Sequence, residues 1–168
     1  MKLAGPILAK ELAEAVRGTL VNASGTEWVS SLSHDSRTLE PGDWFLALRG
    51  ESFDGHDFIG QVLSQKPAGV ILNPERFPNR ELPADLPCLT VCDPNQALLD
   101  WGKLLRNRFT GQVLAITGSN GKTTTKDLLG GLCRFQNCNS FATKGNLNNL
   151  IGVPLSLLDA PLHAPWWV

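Results

Sequence analysis

The sequence predicts an α/β protein in which a small N-terminal α/β domain (residues 1–110) leads into the start of a P-loop-type parallel-sheet domain (residues 111–168). Three observations predict it. Short apolar runs of strand length alternate with segments of helical periodicity along the first domain. A strand-like run, a glycine-bounded loop and a helix-like segment then follow one another in "VLAITGSNGKTTTKDLLGGL" (113–132). The composition, 42% apolar and 18% charged, is that of a folded chain rather than a disordered one.

Taken in order, "PILAKELAEAVR" (6–17) places Ile7, Leu8, Leu12, Ala15 and Val16 at helical spacing, with Pro6 near the start and Gly18 as a stop, so a helix is expected there. Strands are expected at 18–22, 28–36 and 43–50, the last two joined by the turn "LEPGD". "HDFIGQVLSQ" (56–65) reads as a helix and "AGVILN" (68–73) as a short buried strand. Prolines at 74, 78, 83 and 87 mark a loop, and "CLTVCD" (88–93) reads as a strand. Asp93 is placed to cap a helix with Pro94 at its first position and Leu98, Leu99, Leu104 and Leu105 along it. "TGQ" (110–112) forms the boundary, after which "VLAIT" (113–117) reads as a new buried strand. A helix is expected over 152–160, and "WWV" (166–168) opens another strand. Two or three strands are too few to cover a parallel sheet. The second domain is therefore expected to be incomplete, with an unpaired edge and an exposed apolar face, as the front portion of a longer chain.

Charge narrows the function. Fifteen basic and sixteen acidic residues leave a net charge of −1 with no block of like charge, which argues against a nucleic-acid partner. No apolar run approaches the ~20 residues that span a bilayer, and Lys10, Glu11 and Glu14 interrupt the apolar start, so no membrane span and a cytoplasmic location are expected. Cysteines at 88, 92, 133 and 138 lack the C-x-x-C spacing of zinc knuckles and read as free thiols. A monomer is expected.

The loop at 118–123 carries the chemistry. Its pattern, G-x-x-G-K-T, is two residues shorter between the glycines than the usual phosphate loop, but the physics survives. Gly118 and Gly121 permit positive φ values that turn consecutive N–H groups toward one point, with Ser119 and Asn120 between them. A helix starting near Lys122 adds free N–H groups and a positive dipole end, worth roughly 0.3–2 kcal/mol toward an anion. Lys122 reaches phosphate oxygens, and Thr123 is placed to ligate Mg²⁺, making ATP and Mg²⁺ the expected cofactors. Thr124 offers a hydroxyl in the first turn, which serves either phosphate or simple capping.

These residues resemble a known family. "TGSNGKTTTK" (117–126) is similar to the shortened ATP loop of the Mur ligases, which build the peptide of bacterial cell-wall precursors, and "DSRTLEPGDWFLALRGESFDGHDF" (35–58) resembles their N-terminal UDP-sugar domain. "GNLNNLIGVPLSLL" (145–158) resembles the branch whose substrates are UDP-N-acetylmuramoyl-tripeptide and D-alanyl-D-alanine. What the resemblance implies is ATP-dependent amide synthesis through an acyl phosphate, with Lys122 and Thr123 in the catalytic roles. The rivals are the preceding ligase of the same series, a folylpolyglutamate-synthase-like enzyme, and a non-catalytic UDP-sugar-binding module. The isolated chain is expected not to turn over.

The resemblance also implies a substrate site. Asp35, Ser36 and Arg37 supply a hydroxyl and an arginine fork suited to a diphosphate, although an Asx turn with a surface arginine explains the same residues. Gly50, Asp54, Gly55 and His56 border the uridine end by resemblance; on the residues alone, a helix cap and a packed histidine are the better reading. Asn146, Asn148 and Asn149 are assigned to substrate, their carboxamides matching its phosphates and amides, against ordinary turn chemistry.

Overall fold

Strands buried on both faces are written as unbroken apolar runs, and "WFL" and "GVIL" become the middle of a sheet. The computed structural model describes residues 1–78, 81–135, 139–145, 147 and 149–168. The chain divides into two compact units, Met1–Trp101 and Gly102–Val168. In the first unit the order is β1 (Lys2–Leu8), α1 (Ala9–Val16), β2 (Thr19–Val21), β3 (Trp28–Ser33), β4 (Trp44–Leu46), α2 (Ile59–Ser64), β5 (Gly69–Leu72), β6 (Cys88–Thr90) and α3 (Pro94–Arg108), which continues into the second unit. A 3₁₀ turn at Gly55–Phe58 leads into α2. The strands form one six-stranded sheet in the order β1-β3-β4-β5-β6-β2, parallel from β3 to β6 and antiparallel at both edges.

Alternation along each central strand sorts the core into two layers. Phe45, Val70, Leu72 and Cys88 face Ile59 and Val62 of α2, while Leu46, Ile71 and Leu89 face Leu12, Val16, Leu98 and Trp101 of α1 and α3. Asp93 caps α3 as its sequence suggests, accepting from the Asn95 amide at 2.9 Å.

The N-terminal helix is shorter than expected. Residues 6–8 belong to β1, and α1 begins only at Ala9. β1 is an edge strand whose register against β3 shifts between Lys2 and Ile7, and an edge tolerates the missing N–H of Pro6. Nor is Gly18 the helix stop. Arg17 takes the left-handed conformation (φ 55°), whereas Gly18 is small because a Cβ there would lie 2.6 Å from the Leu89 side chain and 2.8 Å from the Thr90 carbonyl.

In the second unit β7 (Gln112–Val113) pairs in parallel with β8 (Trp166–Trp167), and α4 (Lys122–Phe135) and α5 (Gly152–Asp159) lie between them in the chain. Phe109 stacks on Trp167 with ring centroids 3.8 Å apart, at the centre of a cluster with Ala160 and Ala164. The run 113–117 is not the buried strand expected. Only Val113 of it lies in β7, and that side chain is exposed. With β8 as its one partner among the described residues, the run loses its ladder after the Leu114 amide bonds Trp167 O. Leu128, Leu132 and Phe135 of α4 are exposed, Phe135 by 88%, so an uncovered apolar face is present. No helix among the described residues is long and apolar enough to cross a membrane.

Candidate functional site

The phosphate loop connects the residues after β7 to α4. Gly118 (φ 151°) and Gly121 (φ 79°) both hold positive φ, so the reason for glycine at each is conformational: a Cβ at Gly121 would meet nothing within 4 Å. The Gly121 carbonyl accepts the first helical bond, from Thr125, which leaves the amides before it free to face a ligand. Ser119, Asn120, Gly121, Thr123 and Thr124 are exposed. Thr117, Gly118, Lys122 and Thr123 line an open cavity of about 530 Å³, together with Thr143, Gly145, Leu147 and Val153. The Lys122 ammonium donates to the Gly118 carbonyl, folded back across its own loop.

One cavity residue escapes a reading of the sequence. Lys126 lines the same space, and its side chain is only 13% exposed. The available signal was its spacing of four from Lys122, which puts both on one helix face.

Among the described residues no group of three or more His, Cys, Asp or Glu side chains gathers to cage a metal. The cavity lining carries the hydroxyl residues Thr117, Thr123 and Thr143, and Thr123 follows Lys122 at the start of α4; such neutral oxygen donors are compatible with a Mg²⁺ that keeps most of its water and is held largely through phosphate oxygens.

The second candidate region lies in the first unit, where Asp35, Ser36, Arg37, Gly55 and Gln61 line a cavity of about 470 Å³ walled by Phe45, Phe53 and Phe58. Asp35 and Arg37 form a forked pair, Nε to Oδ1 at 2.9 Å and a terminal guanidinium nitrogen to Oδ2 at 2.6 Å. Hydrogen bonds from the Arg37 side chain and amide hold the Asp35 carboxyl well below the usual carboxylate range. The pair keeps the guanidinium extended at the rim, and Arg37 is exposed. Ser36 is buried, its hydroxyl on Gln61 Oε1 at 3.2 Å and its carbonyl on the Gln65 amide at 2.8 Å.

The loop from Gly50 to His56 is anchored from inside. Gly50 N bonds Phe53 O at 2.9 Å, and Gly55 N bonds Leu48 O at 2.8 Å. The Asn95 carboxamide, which the sequence did not single out, clamps Arg49 by donating to its carbonyl and accepting from its amide. His56 is 2% exposed, with both ring nitrogens taken: Nδ1 lies 2.5 Å from Asp54 Oδ1, and Nε2 accepts from the Asn73 amide at 2.9 Å. The imidazole thus has no polar atom left for a ligand, and its part here is architectural. Burial pushes Asp54 up, but hydrogen bonds from the His56 ring and amide, with the nearby Arg76 guanidinium, outweigh it and hold the carboxyl below its ordinary range.

A Cβ on Gly55 would sit 2.9 Å from Ala47 Cα, Ala47 C and Leu48 O, all backbone atoms. Gly55→Ala is therefore expected to destabilise the protein by about 1–3 kcal/mol in a denaturant titration. A change below measurement error would mean that the loop relaxes freely.

Of the asparagine run, Asn146 and Asn148 lie outside the described residues. Asn149 Oδ1 accepts from the Ile151 and Gly152 amides at 3.2 and 2.6 Å, so it caps the start of α5.

Comparison with known proteins places these features in context. The Mur ligase middle domain family matches residues 116–165, and the Mur ligase family, catalytic domain, matches residues 29–80. UDP-N-acetylmuramoyl-tripeptide–D-alanyl-D-alanine ligase of Escherichia coli (strain K12) is 36% identical over 152 residues, covering 90% of this chain and 32% of that protein. The Bacillus subtilis (strain 168) protein of the same name is 37% identical, covering 90% of this chain and 33% of that one. Among solved structures, MurF from Acinetobacter baumannii superposes with a TM-score of 0.84 at 34% identity, covering 100% of this chain and 36% of that one. The chain thus spans about a third of the length of the relatives it matches.

Proposed function

Because the chain belongs to the Mur ligase family, we propose that it supplies the UDP-sugar pocket and the phosphate loop of the ATP-dependent ligase that joins D-alanyl-D-alanine to UDP-N-acetylmuramoyl-tripeptide. The observation that carries this is the phosphate loop itself: two positive-φ glycines, the start of α4, Lys122 and Thr123 around one cavity. A Thermotoga maritima MurF ligase similar to this chain (31% identity, TM-score 0.67, covering 83% of this chain and 31% of that one) was solved in complex with ADP, which supports a nucleotide in this role.

In this reading the free amides of the loop cradle the β- and γ-phosphates and Lys122 leaves the Gly118 carbonyl to bind them. Thr123 would hold Mg²⁺, which supplies charge neutralisation for phosphoryl transfer. The tripeptide carboxylate attacks the γ-phosphorus, ADP departs, and an acyl phosphate forms. The amine of D-alanyl-D-alanine then attacks the acyl carbon and phosphate leaves, with loss of the amine proton. The protein's part in the first step is to position and neutralise charge, since the transferring group needs no covalent help. At the other end, the pocket of Ser36, Arg37 and Phe53 suits a nucleoside diphosphate: an exposed guanidinium for phosphate and an aromatic wall for a base. Asn146, Asn148 and Asn149 are proposed as substrate contacts, Asn149 through the amide nitrogen its capping role leaves over. Substrates carried on UDP and ATP place the reaction in the cytoplasm, with the protein acting as a monomer.

A chimera tests the proposal. Exchanging this chain for the matching third of the Escherichia coli relative is expected to give an enzyme that consumes ATP only when both UDP-N-acetylmuramoyl-tripeptide and D-alanyl-D-alanine are present. The 168-residue chain alone is expected to bind the UDP substrate without turnover. A folded chimera that makes no amide, or ATP consumption indifferent to the dipeptide, would sink the assignment.

A further inference from the structure

Lys126 stands one helical turn beyond Lys122 on α4, and the geometry points to it as a second cation of the phosphate site, one that binds the terminal phosphate of a nucleoside triphosphate. The inference rests on the nucleotide reading of the cavity and goes further, by naming a residue that distinguishes tri- from diphosphate.

Direction comes first. Side chains on a helix lean toward its N-terminus, so a lysine in the second turn carries its ammonium back toward the loop rather than away from it. Residues four apart on a helix have Cβ atoms about 6 Å apart, which suits two ammonium groups gripping different oxygens of one polyphosphate chain. Lys122 and Lys126 both line the cavity.

Energetics point the same way. The first turn of α4 holds no acidic residue, while two lysines occupy its first two turns. Cations at the positive end of a helix oppose its dipole, so this placement does not favour the fold. Lys126 is also 13% exposed, an unusual position for a strongly hydrated ammonium. Its partners are weak substitutes for water: the Gly145 carbonyl at 3.5 Å, the outer limit of a hydrogen bond, and Asp127 Oδ1 at 3.3 Å, from a carboxylate that is itself 67% exposed.

Each lysine therefore rests on a glycine carbonyl that lines the cavity, Lys122 on Gly118 and Lys126 on Gly145. A polyphosphate exchanges two neutral acceptors for charged ones, and such charge-assisted bonds are about twice as strong. Gly145 sits at φ 60°, a left-handed conformation that favours glycine. Lys126 is thus a contact for the terminal phosphate that rests only weakly on the Gly145 carbonyl when no nucleotide is present.

The test compares Lys126→Met, which keeps the stem and removes the charge, with Lys126→Arg, which keeps the charge. Equilibrium titrations use ATP and ADP, each with Mg²⁺, and thermal denaturation is followed without nucleotide. Lys126→Met is expected to weaken ATP binding at least about tenfold and ADP binding less than about threefold, with no loss of unliganded stability. Lys126→Arg is expected to restore ATP binding to within about threefold of the parent. ATP affinity within about twofold of the parent in Lys126→Met overturns the inference. So does an equal loss for ATP and ADP accompanied by a lower melting temperature, which is the signature of a purely structural lysine. If the parent binds ATP with the expected lysine dependence while the chimera makes no amide, the ligase reading fails and Lys126 keeps its role. If the parent binds neither ATP nor inorganic triphosphate, both fail together.

Discussion

Replacing Lys122 with methionine is expected to lower ATP affinity by about two orders of magnitude while leaving the unliganded protein as stable as before, or slightly more so. The two directions follow from one position. Lys122 is the first residue of α4, where a cation opposes the helix dipole, and in the free protein its ammonium donates to the carbonyl of Gly118 four residues back. Removing the ammonium therefore relieves a mild repulsion and gives up one exposed bond. With a polyphosphate in the loop the balance reverses, because the ammonium meets formal negative charge at a place where the amides around Gly118 and Gly121 already converge. Calorimetric titration with ATP and thermal denaturation without it measure the two arms separately. A lysine held for structural reasons would lower stability and spare affinity, and that pattern would remove Lys122 from the site. In the chimera the same substitution is expected to reduce kcat by at least about a hundredfold, since charge develops on the transferring group where the ammonium sits.

The parts of the fold that the sequence announces are those where one physical demand dominates. β4, β5 and β6 are covered on both faces, so their apolar runs admit no other reading. Gly118 and Gly121 are legible for a similar reason, since backbone geometry alone requires them. Legibility fails where two demands give the same letters. Pro6, Ile7 and Leu8 satisfy a helix start as well as an edge strand, and only the pairing of Ile7 with Val29 and of Leu8 with Trp28 decides between them. "VLAIT" looks like a central strand, yet a strand needs neighbours, and among the described residues β8 pairs with it on one side only.

The site residues divide in the same way. Asp35 and Arg37 read equally as a local turn or a phosphate clamp, and the structure contains the turn and the forked pair while leaving the guanidinium at the pocket rim. Lys126 was hidden because a lysine on a helix is normally a solvated one; that it is 13% exposed, with its ammonium near the Gly145 carbonyl 19 positions on, is a long-range fact that local pattern does not encode. Asn95 was hidden for a related reason, since its partner Arg49 is 46 positions away.

His56→Ala is expected to cost about 3 kcal/mol of folding stability and to do so without any direct contact between His56 and a ligand. The ring is 2% exposed and fills a site between the 3₁₀ turn at Gly55–Phe58 and the residues after β5. Truncation removes packing volume. It also leaves the Asn73 amide without the acceptor it meets at 2.9 Å, and takes from Asp54 the ring nitrogen at 2.5 Å. Asp54 keeps the His56 backbone amide at 3.1 Å and the Arg76 guanidinium at 3.2 Å, so the carboxylate stays ionised and the turn is loosened rather than lost. Asn73 is the sensitive point, since its side chain also caps the Pro74–Arg76 turn and reaches the Cys92 carbonyl. Disturbance at its amide is therefore expected to spread from the substrate loop to the end of β6. Urea denaturation measures the loss, and titration with UDP at a temperature well below the melting point separates it from binding. His56→Ala is expected to bind UDP within about threefold of the parent under those conditions. A loss of affinity of tenfold or more in a protein still fully folded would show that the imidazole acts on the ligand directly, and a stability change under about 1 kcal/mol would show that the buried hydrogen-bond chain through Asp54, His56 and Asn73 is not what holds this loop.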